Sequence, residues 1–239
     1  MSREQSYTSI ILKKTAFGEA DEIITVLTLE NGKMRFLAKS VKLAKSKLQN
    51  SLQSLFLVNL RIAQSRQGKL NKIIGSEVIN SFAALRENLS AIKAAYIATE
   101  LCVKFLPDEQ KADASFNLLK LLFGFLNHTQ LLETKAECGL LAFKIKFLET
   151  LGLAIVYPKN PGKELFFESS KGGFVNSQSS LGILVSPKIL KEFSELKEGS
   201  FKALPELPDL KDLKIIVSNF LEYHLERKLK AEGALSGVV

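Results

Sequence analysis

The chain has 239 residues, 46% of them hydrophobic, and a formal charge of +8, a balance that points to a globular protein with a buried core. Its longest apolar stretch, Leu118 to Leu126, is interrupted by Lys120 and falls short of the roughly 20 residues that cross a bilayer, which argues against a membrane span. Met1 to Gln5 shows no secretory signal, and Cys102 and Cys138, inside helical patterns, offer no disulfide framework or paired metal-ligand spacing, so the chain reads as cytoplasmic.

Short strand-like runs come first: Tyr7 to Lys14, Glu22 to Leu29, Lys33 to Lys39, Leu55 to Gln64 and Leu70 to Ile79. Asn31-Gly32 between the second and third is a hairpin signal, because both residues tolerate positive φ. Met34, Phe36 and Ala38 alternate with Lys33, Arg35 and Lys39, so that strand has an apolar face and a cationic one. Five strands in about 75 residues leave no room for crossover helices and suit a small closed barrel of the oligonucleotide-binding (OB) type.

Charge is concentrated in the same region. Between Asn31 and Ser76 there are ten basic side chains and no acidic one: Lys33, Arg35, Lys39, Lys42, Lys45, Lys47, Arg61, Arg66, Lys69 and Lys72. Residues 1–80 carry +7 of the total +8. A surface that gathers one sign of charge attracts polyanions, and these ten are the candidate nucleic-acid-binding residues. Lys33, Arg35 and Lys39, spaced two and four apart on one strand, point the same way and rank first. Phe36 and Phe56 share a face with apolar neighbours and are expected in the core, which leaves Tyr7 and Phe17 as the aromatic candidates for base stacking.

After Ser81 the hydrophobic period becomes helical. The spacing predicts helices near 84–106, 113–127, 130–152, 186–198 and 209–231, the third apolar around most of its girth and therefore central. Residues 157–185 are rich in Pro and Gly around two short apolar runs and read as an irregular excursion with a hairpin. The expected architecture is α+β: an OB-fold barrel over 1–80 and a helical domain over 81–239. Two histidines and two cysteines give no nucleophile–base set, no Gly-Lys-Ser/Thr phosphate loop is present, and the carboxylates show no metal-ligand spacing. The chain is therefore expected to be no enzyme and to need no cofactor.

The run IILKKTAFGEADEIITVLTLENGKMRFLAKSVKLAKSKLQNSLQSLFLVNL, with Gly18-Glu19-Ala20-Asp21, Gly32-Lys33 and the basic loop of Ala38-Lys39, Lys42, Lys45 and Lys47, resembles the start of the RecO family of bacterial recombination mediators. Leu148 to Gly152, Gly172-Gly173, and Tyr223-His224-Leu225 with Lys228-Leu229-Lys230 extend the likeness in order along the chain. The resemblance implies a nucleoid-associated protein that binds single- and double-stranded DNA, anneals complementary strands and helps load recombinase, with RecR and the acidic tail of single-strand-binding protein as partners. Lys144 and Lys146, and Arg227, Lys228 and Lys230, are cations that could receive such a tail. Many members build a zinc site from two cysteine pairs in the excursion, but Tyr157 to Ser180 contains neither cysteine nor histidine, so no zinc is expected. The competing reading is a protein-interaction scaffold that works mainly through its helical domain.

Overall fold

The computed structural model describes residues 4–43, 45–65, 69–159, 162–176, 182–205, 207 and 209–225. Five strands, β1 (Glu4–Phe17), β2 (Asp21–Thr28), β3 (Gly32–Ala38), β4 (Leu57–Ala63) and β5 (Lys72–Asn80), close into a barrel in the order β1-β2-β3-β5-β4. All neighbours are antiparallel except β3 and β5, which run parallel and meet at Leu37 and Lys72. The expected alternation fills the interior: Ile11, Ile24, Val26, Phe36, Val58, Leu60 and Ile62 are fully buried. The expected OB-fold architecture is present, and each of the five strands lies where its pattern places it.

The β2–β3 hairpin turns over Leu29 to Asn31, and Gly32 opens β3 with φ +70°. Thr28 Oγ1 donates to the Gly32 carbonyl at 2.9 Å and accepts from Asn31 N–H at 3.0 Å, which fixes the turn. Gly32 is also a point of close approach. A Cβ there would lie 1.7 Å from the Gln110 carbonyl oxygen, so the chain of the helical region runs directly over this glycine.

A register shift between Ile11 and Lys13 leaves Leu12 as the extra residue of β1. Ile10 and Leu12, with Leu27, Leu55 and Leu57, look out of the barrel into the larger core that the helices build. The outer side of β1 and β2 is thereby covered, and one apolar core runs across the barrel–helix boundary.

The helices are α1 (Ala83–Glu87), α2 (Leu89–Phe105), α3 (Asp113–Leu126), α4 (Glu133–Thr150), α5 (Pro187–Glu198) and α6 (Lys211–Leu225). The single helix expected over 84–106 is two. Asn88 is extended (φ −112°, ψ 116°), its side chain accepts from Ala91 N–H at 3.0 Å to cap α2, and its amide donates to the Leu131 carbonyl at 2.9 Å. Apolar periodicity runs through the break and hides it. Helix α4 is central as expected, buried on most sides and packed against α2, α3, α5 and α6. Residues 226–231 of the last expected helix lie outside the described residues.

The excursion is a three-stranded sheet in the order β7-β6-β8, formed by β6 (Leu165–Glu168), β7 (Gly173–Val175) and β8 (Ile183–Val185), rather than a lone hairpin. Aromatic edge-to-face contacts tie it to the bundle: Phe167 meets Phe174 (5.3 Å) and Phe220 (5.8 Å), and Phe174 meets Phe193 (5.1 Å). No described helix is long and apolar enough to cross a membrane.

Gly32→Ala places a side chain in a left-handed conformation and against a backbone oxygen, and we expect it to destabilise the protein by roughly 2 kcal/mol or more. Denaturant unfolding measures this; a loss under about 0.5 kcal/mol, the range of an ordinary surface change, contradicts the close approach.

Candidate nucleic-acid interface

The strand β3 presents Lys33 and Arg35 on its outer side, opposite the buried Met34, Phe36 and Ala38, and Lys39, expected on the same strand, stands exposed in the turn just past its end. Their surroundings differ. Lys33 Nζ donates to the Val103 carbonyl at 2.7 Å and pairs with Asp108 at 3.2 Å, and its side chain is only 12% exposed. Its ammonium is turned into the junction with the helices. Arg35 is 58% exposed and pairs with the other Asp108 oxygen at 3.1 Å. Lys39, at the strand's far end, is exposed and makes no ion pair among the described residues.

Two connections that touch the end of β3 carry further cations. The β3–β4 connection carries Lys42, Lys45 and Lys47, all exposed. It is stapled to the β1–β2 turn: Lys42 N–H donates to the Ala20 carbonyl (3.1 Å), Lys42 Nζ to the Gly18 carbonyl (3.2 Å), and Ser40 N–H to Asp21 Oδ1 (2.7 Å). The β4–β5 connection is pinned to the end of β3 through Leu37 N–H to the Asn71 carbonyl (2.9 Å), while Asn71 Oδ1 accepts from Ser65 N–H (2.9 Å). Lys69 and Lys72 therefore stand, exposed, where β5 starts beside β3. Arg66 lies outside the described residues. Arg61 sits apart, beyond β5 on β4, with its guanidinium laid over Gly75, where a Cβ would come within 2.6 Å of Nε.

The structure thus brings Lys39, Lys42, Lys69 and Lys72 to the end of β3, carries Lys45 and Lys47 exposed on the connection that follows, draws Lys33 into the junction and leaves Arg61 on β4. In OB folds the loops after the first and fourth strands frame the face on β2 and β3, and the cationic end lies between those loops here. Tyr7 is buried and stacked on Phe36 at 5.8 Å, with its hydroxyl pKa raised by burial, so it is unavailable to a base. Phe56 is half-buried beneath Arg86 at 5.0 Å. Phe17 is 52% exposed at the end of β1 and is the aromatic candidate left on this rim.

Asp108, the residue that most alters the basic surface, was missed by sequence reasoning. It is remote from β3 in the chain, and no local pattern ties it to that strand. Lys144 is buried, and Lys146 donates to the Lys197 carbonyl while burial lowers its pKa, so neither is displayed for an acidic tail. Residues 227–230 lie outside the described residues. A groove of about 1160 Å³ between α3, the start of α4 and the Phe201 segment has Leu121, Phe125 and Leu132 in its lining and Lys120, Lys135 and Lys202 about it.

Cys102 and Cys138 are fully buried, and burial pushes the Cys102 thiol upward, away from reactive thiolate chemistry. His224 packs edge-on against Phe220 at 4.6 Å, and burial lowers its pKa. Among the described residues no three His, Cys, Asp or Glu side chains converge as a metal group. The excursion of β6 to β8 is filled by phenylalanines where thiolates would be needed, and a structural zinc does not fit it.

These features define an OB-fold barrel with a cationic end, joined through a shared core to a helical bundle. Residues 1–82 match the family model for the recombination protein O N terminal region, and residues 86–232 match that for its C terminal region. The chain belongs to the RecO family, whose work is DNA repair and recombination, and neither matching model describes a catalytic domain. It is similar to the DNA repair protein RecO of Myxococcus xanthus, 27% identical with 96% of each chain covered. The DNA repair proteins RecO of Dehalococcoides mccartyi strain CBDB1 and of Thermodesulfovibrio yellowstonii are each 29% identical, covering 93% and 92% of this chain and 91% of their own.

Lys33→Met removes a charged donor from the Val103 carbonyl, and we expect it to cost about 1–3 kcal/mol of stability. Lys39→Ala, with no ion-pair partner among the described residues, should stay within about 0.5 kcal/mol. Equal midpoints for the two variants in urea would contradict the division of β3 between junction and surface.

Proposed function

We propose that the protein binds single- and double-stranded DNA through the cationic end of its barrel, anneals complementary strands, and assists recombinase loading in recombinational repair. The observation that carries this reading is the set of exposed lysines that make no ion pair among the described residues: Lys39, Lys69 and Lys72 where β3 ends and β5 begins, and Lys45 and Lys47 on the connection that follows β3. Lys42 lends its charge to the same rim while its Nζ steadies the β1–β2 turn. Arg61 and Arg66 are secondary candidates.

The chemistry follows from the side chains. Lysines recognise phosphate as point charges and displace condensed counterions, which gives affinity without reading sequence. Strands held by their backbones keep base edges free to search for complements, and the shielding of two phosphate chains lowers their mutual repulsion. Phe17 is positioned to stack on one splayed base at the rim. Family membership supports RecR as a partner. The groove edged by Lys120, Lys135 and Lys202 has the charge to hold the acidic tail of single-strand-binding protein.

Binding to an unstructured oligonucleotide should weaken with salt at a log–log slope of roughly −3 to −4, and annealing should slow in parallel. A triple variant, Lys39→Ala, Lys69→Ala and Lys72→Ala, should flatten that slope by about 2 and weaken low-salt binding about tenfold or more. A slope near zero, or a triple variant that binds like the parent, contradicts the reading. Separately, Lys120→Glu with Lys135→Glu should weaken a labelled acidic tail peptide by about tenfold, seen by anisotropy, while annealing of naked strands persists. Unchanged peptide affinity would remove the groove from the account.

A further inference from the structure

The connection between α2 and α3 does more than link two helices. Its Asp108 forms an isolated parallel bridge with Lys33, the next residue donates Glu109 N–H to the Lys33 carbonyl at 2.8 Å, and Gln110 passes over Gly32. Glu109 takes a left-handed conformation (φ 59°), a conformation uncommon outside glycine. The backbone of this connection is therefore fixed against β3, and Asp108 is held in place rather than carried on a free loop.

Asp108 spans two cations with one oxygen each, 3.2 Å to Lys33 Nζ and 3.1 Å to an Arg35 terminal nitrogen. A phosphate diester offers two oxygens in much the same arrangement, and a guanidinium binds either group. Lys33 is largely shielded and also committed to a carbonyl, but Arg35 and Asp108 are 58% and 45% exposed. Solvent-exposed pairs of this kind are weak, so a phosphate arriving as part of a longer chain can replace the carboxylate. Arg35 is three residues from Ala38, the last of the strand, or about 10 Å, and Lys39 stands in the turn immediately after it.

We propose that Asp108 is a built-in phosphate mimic that occupies Arg35 and limits the affinity of the barrel for nucleic-acid backbone. A strand entering from the Lys39 end displaces it and gains Arg35 as a further contact. Asp108 meanwhile stays held by Lys33, so the junction remains closed. This inference rests on the reading of the barrel end as a phosphate-binding surface and adds to it a residue that sets how tightly the surface binds.

The test compares the full chain with Asp108→Asn for binding to a fluorescent poly-dT oligonucleotide across a salt series, with urea unfolding of each variant alongside. Asp108→Asn should bind about threefold to tenfold more tightly at low salt, with a slope steeper by about 0.7, one more phosphate contact. Adding Arg35→Ala to Asp108→Asn should return affinity to near the parental value. If the parent binds and Asp108→Asn binds no tighter, the mimic is wrong while the cationic end stands. If the parent itself does not bind, both fall together. Should Asp108→Asn fail to fold, Arg35→Ala alone decides: a loss clearly smaller than that of Lys39→Ala supports an occupied arginine, and an equal loss overturns it.

Discussion

The backbone of β3 is gripped by the α2–α3 connection, and much of the molecule's surface chemistry depends on that grip. Gly32 admits the Gln110 carbonyl, Lys33 reaches the Val103 carbonyl, and Asp108 ties two β3 cations to the helical side. The free energy comes mostly from elsewhere. Ile10, Leu12, Leu27, Leu55 and Leu57 bury their side chains in the helical core, each contributing on the order of 1.5–3 kcal/mol as an upper estimate, against about 1 kcal/mol or less for a half-exposed ion pair. Apolar burial joins the two parts. The polar contacts decide their register and which cations remain free.

That division explains how a small barrel leaves one end open. The outer side of β1 and β2 is spent on packing against helices, and the first part of β3 on the junction. What remains is the region where β3 ends and β5 begins, flanked by the β1–β2 and β4–β5 turns and by the lysine-bearing β3–β4 connection. Three hydrogen bonds hold that connection to the β1–β2 turn, so the lysines are carried on a braced edge. Bracing lowers the ordering cost when a flexible polyanion binds.

The barrel was legible because its strands alternate cleanly: Met34, Phe36 and Ala38 against Lys33, Arg35 and Lys39 need only the period of a strand. The central α4 was legible because it is apolar around most of its girth. The break at Asn88 was not, since a capping asparagine reaching for the Leu131 carbonyl leaves the helical period intact on both sides. The third strand of the excursion was missed because Ile183–Val185 is three residues long and pairs across a distant segment. Charge counting located the basic surface but could not sort it. Lys33 and Lys39 look alike in sequence, and their fates differ because of Val103 and Asp108, about 70 residues away. Lys144 and Lys146 show the same limit, being cations on a helix whose position in the bundle turns them inward.

The central claim is that one end of the barrel, and not the junction, meets the polyanion. Amide hydrogen exchange on the full chain, with and without a saturating poly-dT oligonucleotide at low salt, tests it most directly. The account predicts new protection concentrated in residues 39–47 and 69–72 and in the β1–β2 turn, with the amides around Lys33 and Val103 unchanged. Protection confined to the helices, or spread evenly over the barrel, would contradict it.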